Sequence, residues 1–241
     1  MAVYETCGRF FTRSKTMSTN QKRLDLRIDV FEKPAQWAKS LPNLKPAELV
    51  DAILQEFQEL EYLSDSSADY RLVPADNEET SLQEDVQLAQ QVANESRLKL
   101  LEVERPLPPG TKRPSQAVYL RDTANGKVYK LHWLPAIIGR PDKNQPHDDR
   151  IAVDLESYQT GLRVSRRHAQ ITEQNGRFFI ESLSRNPTMV KNEEGAVEEV
   201  GAVKRPLQHG DLIQLERSSI TLKFIVRTES GSDLFSNGGQ S

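Results

Sequence analysis

The sequence predicts two folded domains, a small α+β domain followed by an all-β sandwich. The chain has 241 residues, which is enough for two modest hydrophobic cores. A segment with three prolines in five residues, at 106–110, separates two regions of different texture. The region before it contains the clearest helical pattern of the chain, and the region after it contains short strand patterns joined by turns.

The first predicted domain, residues 22–104, consists of strands around one amphipathic helix. Its first strand is LDLRIDVF at 24–31, where apolar and charged residues alternate. Pro34 ends that pattern, and the stretch from there to Pro42 is predicted to be irregular. A helix is predicted to begin at Pro46, because apolar residues then recur at helical spacing. The other predicted elements are a strand at Tyr70–Pro74, a weak helical or turn segment at Asp85–Val92 and a strand at Ser96–Val103.

The order of these elements resembles a ubiquitin-like β-grasp domain. The resemblance covers residues 22–104 and rests on element order and apolar spacing. The segment has no C-terminal Gly-Gly that would support conjugation to another protein. We therefore expect this domain to bind an unknown partner of its own.

Three other segments are predicted to lie outside the two domains. Residues 105–116 are interpreted as a proline-rich linker, since closely spaced prolines stiffen the backbone toward polyproline II. The alternative for this segment is a ligand for a proline-recognising domain. Residues 1–21 are predicted to be a disordered leader, and residues 229–241, rich in Ser and Gly, a disordered tail.

Residues 117–228 form the predicted β-sandwich. Helical patterns are absent from this part of the sequence, and Asn-Gly pairs at 125–126 and 175–176 favour the positive φ angles of tight hairpins. The predicted strands are Val118–Arg121, Val128–Leu134, Ala136–Gly139, Ala169–Thr172, Arg177–Ser182, Thr188–Lys191, Leu212–Leu215 and Ile220–Val226.

Charge and composition argue against several classes of function. Residues 22–104 carry 9 Lys and Arg against 18 Asp and Glu, a balance of −9, and residues 117–228 carry 17 against 14, or +3. That basic excess is too small and too dispersed for a nucleic-acid footprint. No apolar run is long enough for membrane insertion. The single cysteine, Cys7, favours a reducing, cytoplasmic setting, and no residue cluster predicts a metal or a cofactor.

Four separated blocks in the second domain carry the functional signal. They read IIGR at 137–140, SRRHA at 165–169, SLSRNPTMVKN at 182–192 and LQHGDLIQL at 207–215. In order and approximate spacing, residues 117–228 resemble a forkhead-associated (FHA) domain. The resemblance implies an eleven-stranded β-sandwich that binds phosphothreonine peptides with the loops at one end.

The resemblance also assigns roles to particular residues. Arg140 and Ser165 would contact the phosphate, and Asn186 would hold the peptide backbone. Gly139 and His168 match positions that shape the binding loops.

The chemistry of these side chains suits a phosphate independently of the resemblance. Phosphothreonine carries nearly two negative charges at neutral pH and several acceptor oxygens. Arg140 offers a planar pair of donors and Ser165 a short hydroxyl, while the amide of Asn186 both donates and accepts. Further positive charge could come from three neighbouring arginines, Arg163, Arg166 and Arg185. The sequence thus predicts a non-enzymatic phosphothreonine-peptide-binding adaptor in Ser/Thr kinase signalling.

Alternatives stay open at this stage. Pro187 stands where the family usually has glycine, which restricts Asn186 and leaves a structural scaffold without phosphate recognition as a competing hypothesis. A hydrolase that uses Ser165 with His168 lacks the Gly-x-Ser-x-Gly pattern of a nucleophile elbow. In a regulatory variant, a phosphorylated threonine of this chain binds the pocket of another copy. The candidates for that role are Thr6, Thr12, Thr16, Thr19 and Thr111.

Overall fold

A computed structural model describes residues 9–11, 23–142 and 150–227, the first of these ranges by its backbone only. The chain divides into two compact units, with the boundary in the sequence between Val103 and Glu104. The predicted tail lies outside the described residues, as does the predicted leader apart from 9–11. The threonines proposed for phosphorylation lie outside them too, except Thr111, whose hydroxyl donates to the Pro108 carbonyl at 2.7 Å.

The N-terminal unit is a five-stranded sheet with one long helix. Its strands are β1 (Arg9–Phe11), β2 (Leu24–Val30), β3 (Lys33–Ser40), β4 (Tyr70–Pro74) and β5 (Arg97–Glu102), in the sheet order β1-β3-β2-β5-β4. The helices are α1 (Pro46–Glu56) and α2 (Leu88–Gln91). Among the described residues, no helix is both long and apolar enough to cross a membrane. The resemblance of this unit to ubiquitin-like domains stays a prediction.

Local sequence explains where α1 begins and which side it buries. Pro46 occupies the first turn, where a missing N–H costs no helical hydrogen bond. The backbone N–H of Lys45 donates to the carboxylate of Glu48 at 2.8 Å, which anchors the start of the helix. The buried side chains of α1 recur at helical spacing and include Leu49 and Ile53, both fully buried.

The stretch predicted to be irregular after Pro34 is in fact strand β3. It pairs antiparallel with β2, from Leu24 opposite Ser40 to Val30 opposite Lys33. The prediction was wrong because β3 lacks the alternation of apolar residues on which strand recognition depends, and its extended form comes from pairing with β2. The chain turns between the two strands at Phe31, whose φ of 51° is left-handed.

The C-terminal unit is a β-sandwich of two sheets, and its described part contains eleven strands. One sheet has the order β14-β11-β10-β8-β9 and the other the order β13-β12-β15-β16-β6-β7. Buried side chains of both sheets form one core, where Phe178 meets Phe224 edge to face with ring centroids 5.6 Å apart. The strands are β6 (Ala117–Asp122), β7 (Val128–Lys130), β8 (Ala136–Gly139), β9 (Ile151–Asp154), β10 (Arg167–Gln174), β11 (Arg177–Ser182), β12 (Thr188–Lys191), β13 (Val197–Glu199), β14 (Arg205–Leu207), β15 (Leu212–Leu215) and β16 (Ile220–Arg227).

Three of these strands were missed by the sequence prediction, namely β9, β13 and β14. Each is three or four residues long and lies at a sheet edge. All three residues of β13 are exposed, and β14 contains Pro206 at its centre. Short edge strands of this kind carry little apolar pattern, so pairing with a neighbouring strand decides their conformation. In contrast, the strand predicted at 128–134 ends early, at Lys130.

The C-terminal part of the predicted linker is attached to the sandwich. We call residues 112–115 the strap. Lys112 forms an antiparallel bridge with Leu134, with N···O distances of 2.9 and 2.8 Å. Farther along, Ser115 donates its backbone N–H to the Glu173 carboxylate at 3.2 Å and its hydroxyl to the same carboxylate. Because the Glu173 side chain is only 2% exposed, the strap provides the hydrogen bonds that a buried charge needs.

Candidate functional site

The predicted site residues lie in three loops at one end of the sandwich. Strand β8 ends at Gly139, which pairs with Arg167 at the start of β10. Arg140 therefore follows one strand at the edge where Ser165 precedes the next. Asn186 lies in the loop that joins β11 to β12, and β11 pairs with β10 on the side away from β8. The sheet order thus brings together residues that are up to 46 positions apart, from 140 to 186.

Gly139 permits the close approach of two backbones. A Cβ atom added there would lie 2.9 Å from the carbonyl carbon of Arg166 and closer still to its oxygen. It would also lie 3.1 Å from the carbonyl oxygen of Ser165. These atoms belong to the backbone, which moves less easily than a side chain, so a larger residue would push the 165–166 loop away from β8.

Arg140 is held by the same loop through two hydrogen bonds. Its backbone N–H donates to the Arg166 carbonyl at 3.2 Å, and its side-chain Nε donates to the Val164 carbonyl at 2.9 Å. Within the described residues, its terminal Nη1 and Nη2 groups contact no partner. Anchoring through Nε fixes the plane of the guanidinium and leaves its outer donors for an anion.

Ser165 and Asn186 meet across the gap between their loops. The Asn186 Nδ2 group donates to Ser165 Oγ at 2.9 Å and to the Arg163 carbonyl at 3.3 Å. The Asn186 backbone N–H in turn donates to the hydroxyl of Ser184 at 3.2 Å. Pro187 therefore leaves the Asn186 amide beside Ser165, despite the restriction it places on the preceding residue.

His168 is buried and supports the Ser165 loop. Its ring is 1% exposed, and its Nδ1 accepts a hydrogen bond from the Ser165 backbone N–H at 3.3 Å. An accepting Nδ1 assigns the proton of the neutral ring to Nε2. Burial has the larger influence on the pKa of His168 and lowers it below its ordinary value, while the nearby Pro187 backbone acts in the opposite direction. His168 is thus a neutral structural residue near pH 7.

This arrangement does not support the hydrolase alternative. His168 bonds to the backbone of Ser165 and not to its hydroxyl, whose Oγ accepts from Asn186 instead. Nucleophilic catalysis would require a hydrogen bond between the Ser165 hydroxyl and a base.

The three additional arginines differ in their surroundings. Arg166 Nη1 lies 2.9 Å from Asp142 Oδ2, and the Asp142 side chain is only 7% exposed. Because this carboxylate is buried, Arg166 has a structural partner, which the sequence prediction of a phosphate contact did not foresee. Arg163 and Arg185 are exposed, and neither contacts an acid in the part of the chain that the structure describes.

Two features of this end were missed by sequence reasoning. A shallow groove of about 460 Å³ runs beside Asn186 and is lined by residues that include Leu183, Pro187 and Val200. Arg217 lies in a short 3-10 helix, Glu216–Ser218, which packs against the 3-10 helix Gly161–Arg163. The strand patterns on either side of Arg217 place it in a loop, but only the sheet order shows at which end of the sandwich that loop lies.

Two solved structures are similar to this chain over less than half of its length. EmbR of Mycobacterium tuberculosis, solved with a low-affinity phosphopeptide, is 27% identical over 47% of this chain and 25% of its own, with a TM-score of 0.36. The FhaA FHA domain, solved with the intracellular domain of Rv3910, is 28% identical over 46% of this chain and 99% of its own, with a TM-score of 0.32. Among curated proteins, none matches the chain.

The sequence of the C-terminal unit matches the family model of the FHA domain, in agreement with its architecture. The matched residues, 136–216, run from the first residue of β8 to just beyond β15 and include the three loops of the site. The C-terminal unit of this chain therefore contains an FHA domain.

Proposed function

We propose that this protein is a non-enzymatic adaptor that binds phosphothreonine on a partner protein in Ser/Thr kinase signalling. One observation carries the proposal. Arg140 is anchored through Nε and keeps its outer donors unpaired among the described residues, next to the loop that presents Ser165. In the proposed complex these two residues bind the phosphate, and the amide of Asn186 binds the peptide backbone. The N-terminal unit binds a second, unknown partner.

The energetics of such a site suit reversible signalling. Each hydrogen bond to a charged group contributes about 1.5 to 3 kcal/mol. Two or three of these bonds, less the cost of association, give an affinity of roughly micromolar order. Loops fixed by Gly139 and His168 keep the donors in place before binding, so little ordering is required when the peptide arrives.

Replacing Arg140 tests the proposal directly. Arg140→Ala removes the side chain that offers two donors, and we expect it to weaken binding of a phosphothreonine peptide by about 2 to 5 kcal/mol in calorimetry. Arg177→Ala is the matched control, since Arg177 is an exposed arginine at the other end of β11. The unphosphorylated peptide should bind neither protein measurably. Equal affinity of the wild-type protein for the two peptides would contradict the proposal.

A scaffold without phosphate recognition is the second candidate, and the contacts of Asn186 favour it in one respect. Its Nδ2 donors bind Ser165 and the Arg163 carbonyl within the protein, so the amide serves to close the loops. Under this hypothesis, Asn186→Ala lowers thermal stability and no phosphopeptide binds at the Arg140 end. Chemical-shift changes confined to these loops on addition of a phosphothreonine peptide would exclude it.

A further inference from the structure

Three exposed arginines surround one side of the candidate phosphate site. Resting on the proposed function, we propose that Arg163, Arg185 and Arg217 form a second anion-binding position, which selects phosphothreonine peptides carrying another anionic group near the phosphothreonine. The shared chemistry of that group is an oxyanion, supplied either by acidic side chains or by a second phosphate. Arg217 is the residue whose role is new, because it lies just beyond the last sequence motif, 207–215.

Sheet pairing places Arg217 beside the Asn186 loop. Leu215, the last residue of β15, pairs with Thr188, the first residue of β12. Neighbouring strands lie about 4.8 Å apart, so the turn after Leu215 and the loop before Thr188 are adjacent at the same edge. Asn186 and Pro187 belong to that loop, and Arg217 belongs to that turn.

A second contact places Arg217 beside the Ser165 loop. The 3-10 helix that contains Arg217 packs against the one that ends at Arg163. The Arg163 carbonyl accepts from the Asn186 amide at 3.3 Å, which ties this helix to the third loop. The backbones that carry Arg163, Arg185 and Arg217 therefore converge around Ser165 and Asn186.

The charge at this end is unevenly distributed. Within the described residues, none of these three arginines contacts an acid, although Glu216 is an exposed neighbour in sequence. On the β9 side, Asp154 pairs with Gly139 and Asp142 contacts Arg166. The side with β11 and the 3-10 helices carries Arg163, Arg185 and Arg217 as exposed cations, together with two exposed acids, Glu216 and Glu199, the latter in the groove beside Asn186.

Guanidinium groups suit this task because their donors match pairs of oxygen atoms. Exposed ion pairs are individually weak and are screened by salt. We therefore expect a moderate selectivity that depends on ionic strength. A peptide with acidic residues beside the phosphothreonine should bind about five- to tenfold more tightly than one with neutral residues, and the ratio should decrease as salt is added.

Fluorescence anisotropy with synthetic peptides tests this inference on the full chain. The probes are 11-residue phosphothreonine peptides with Ala and Ser on both sides, with Glu on the N-terminal side, with Glu on the C-terminal side, or with a second phosphothreonine. Arg217→Gln should weaken the preferred anionic peptide about fivefold and the neutral one less than twofold. Retained binding of the neutral peptide shows that the variant is folded. The Glu peptides and the doubly phosphorylated peptide distinguish the two sources of charge.

Arg177→Gln is the control for nonspecific attraction, because Arg177 is exposed at the start of β11, away from the site loops. An equal loss in Arg177→Gln and Arg217→Gln would overturn the inference, as would anionic peptides that bind no more tightly than the neutral one. In both cases the proposed function stands, provided that the neutral peptide requires its phosphate and Arg140. If no peptide binds in a phosphate-dependent way, the proposed function fails, and this inference fails with it.

Discussion

The two ends of the sandwich differ in how fully their charged side chains are hydrogen bonded within the protein. At the site end, Arg140 is held through Nε while its outer donors contact no partner among the described residues. At the other end, the carboxylate of Glu173 is buried and hydrogen bonded by Ser115 of the strap. Strand β10 connects the ends, and its rise of about 3.3 Å per residue separates Arg167 from Glu173 by about 20 Å.

One charged side chain keeps donors available for a ligand, and the other is hydrogen bonded within the protein. A buried ion without partners would destabilise the fold, so Glu173 requires the strap. A charge that is to bind a ligand must instead keep some hydrogen-bonding capacity unused while its position is fixed. Substitutions at the strap should therefore affect stability, whereas those at the arginines should affect binding.

The largest effect is expected at Gly139, where stability and binding are coupled. Gly139→Ala places a Cβ against the backbone of Arg166, so we expect a loss of about 3 kcal/mol in the free energy of unfolding. Urea denaturation followed by Trp133 fluorescence measures it in a Trp37→Phe background, which leaves one tryptophan, in the C-terminal unit. Gly201→Ala is the control, because no atom lies within 4 Å of the added Cβ there. Equal stability of the two variants would refute the close-approach argument.

The strap should produce the next largest effect, on stability alone. Ser115→Ala removes a hydroxyl donor from a buried carboxylate, which should lower the free energy of unfolding by about 1.5 to 3 kcal/mol. In a Glu173→Gln background the same change should cost less, because the charge is absent. The Trp133 assay measures both, and phosphopeptide affinity should stay constant. An identical cost in the two backgrounds would show that Ser115 acts independently of Glu173.

His168 should make stability depend on pH. Its folded-state pKa lies below the ordinary value of 6.5, so the unfolded chain binds a proton first as pH falls. The contribution of burial to stability is therefore complete above about pH 6.5 and is lost progressively below it, until the folded-state pKa is passed. Urea midpoints between pH 7.5 and 5 should decline more steeply for the wild type than for His168→Gln. Parallel pH profiles would show that His168 is not the group responsible.

Pro187 should have the smallest effect. The Asn186 amide already lies 2.9 Å from Ser165 Oγ, so restoring the usual glycine brings no new contact. We expect Pro187→Gly to change phosphopeptide affinity less than about threefold, with a slight loss of stability from the greater freedom of the unfolded chain. Calorimetry checks the affinity. A tenfold gain would mean that Pro187 impairs the site, which would favour the scaffold hypothesis.

Strong periodicity made much of the fold predictable. The core strands of the sandwich carry alternating buried residues and were recognised, for example β11 with the same bounds in sequence and structure. Strand β3 was not recognised, because pairing with β2 determines it and its own pattern does not. Local sequence contains no information on which strand will lie alongside a short, polar segment.

In the candidate site, too, some features follow from local sequence and others from strand order and burial. The motifs placed Arg140, Ser165 and Asn186 in loops, and the structure brings these loops together. The ion pair of Arg166 with Asp142 was not foreseeable, since it depends on the burial of a carboxylate 24 positions away. The position of Arg217 depends on the order of strands in the second sheet, which periodicity does not specify.

The strap also affects which recombinant fragments of this domain should be stable. The family match spans residues 136–216 and thereby omits β6, β7 and β16, although β16 is the strand that joins β15 to β6 in the six-stranded sheet. A recombinant fragment trimmed to the match would lose half of one sheet, and a fragment that begins at 117 would deprive Glu173 of Ser115. We therefore expect a fragment that begins before the strap to be more stable than one that begins at 117, and domain transplantation experiments should carry residues 104–227 as a block.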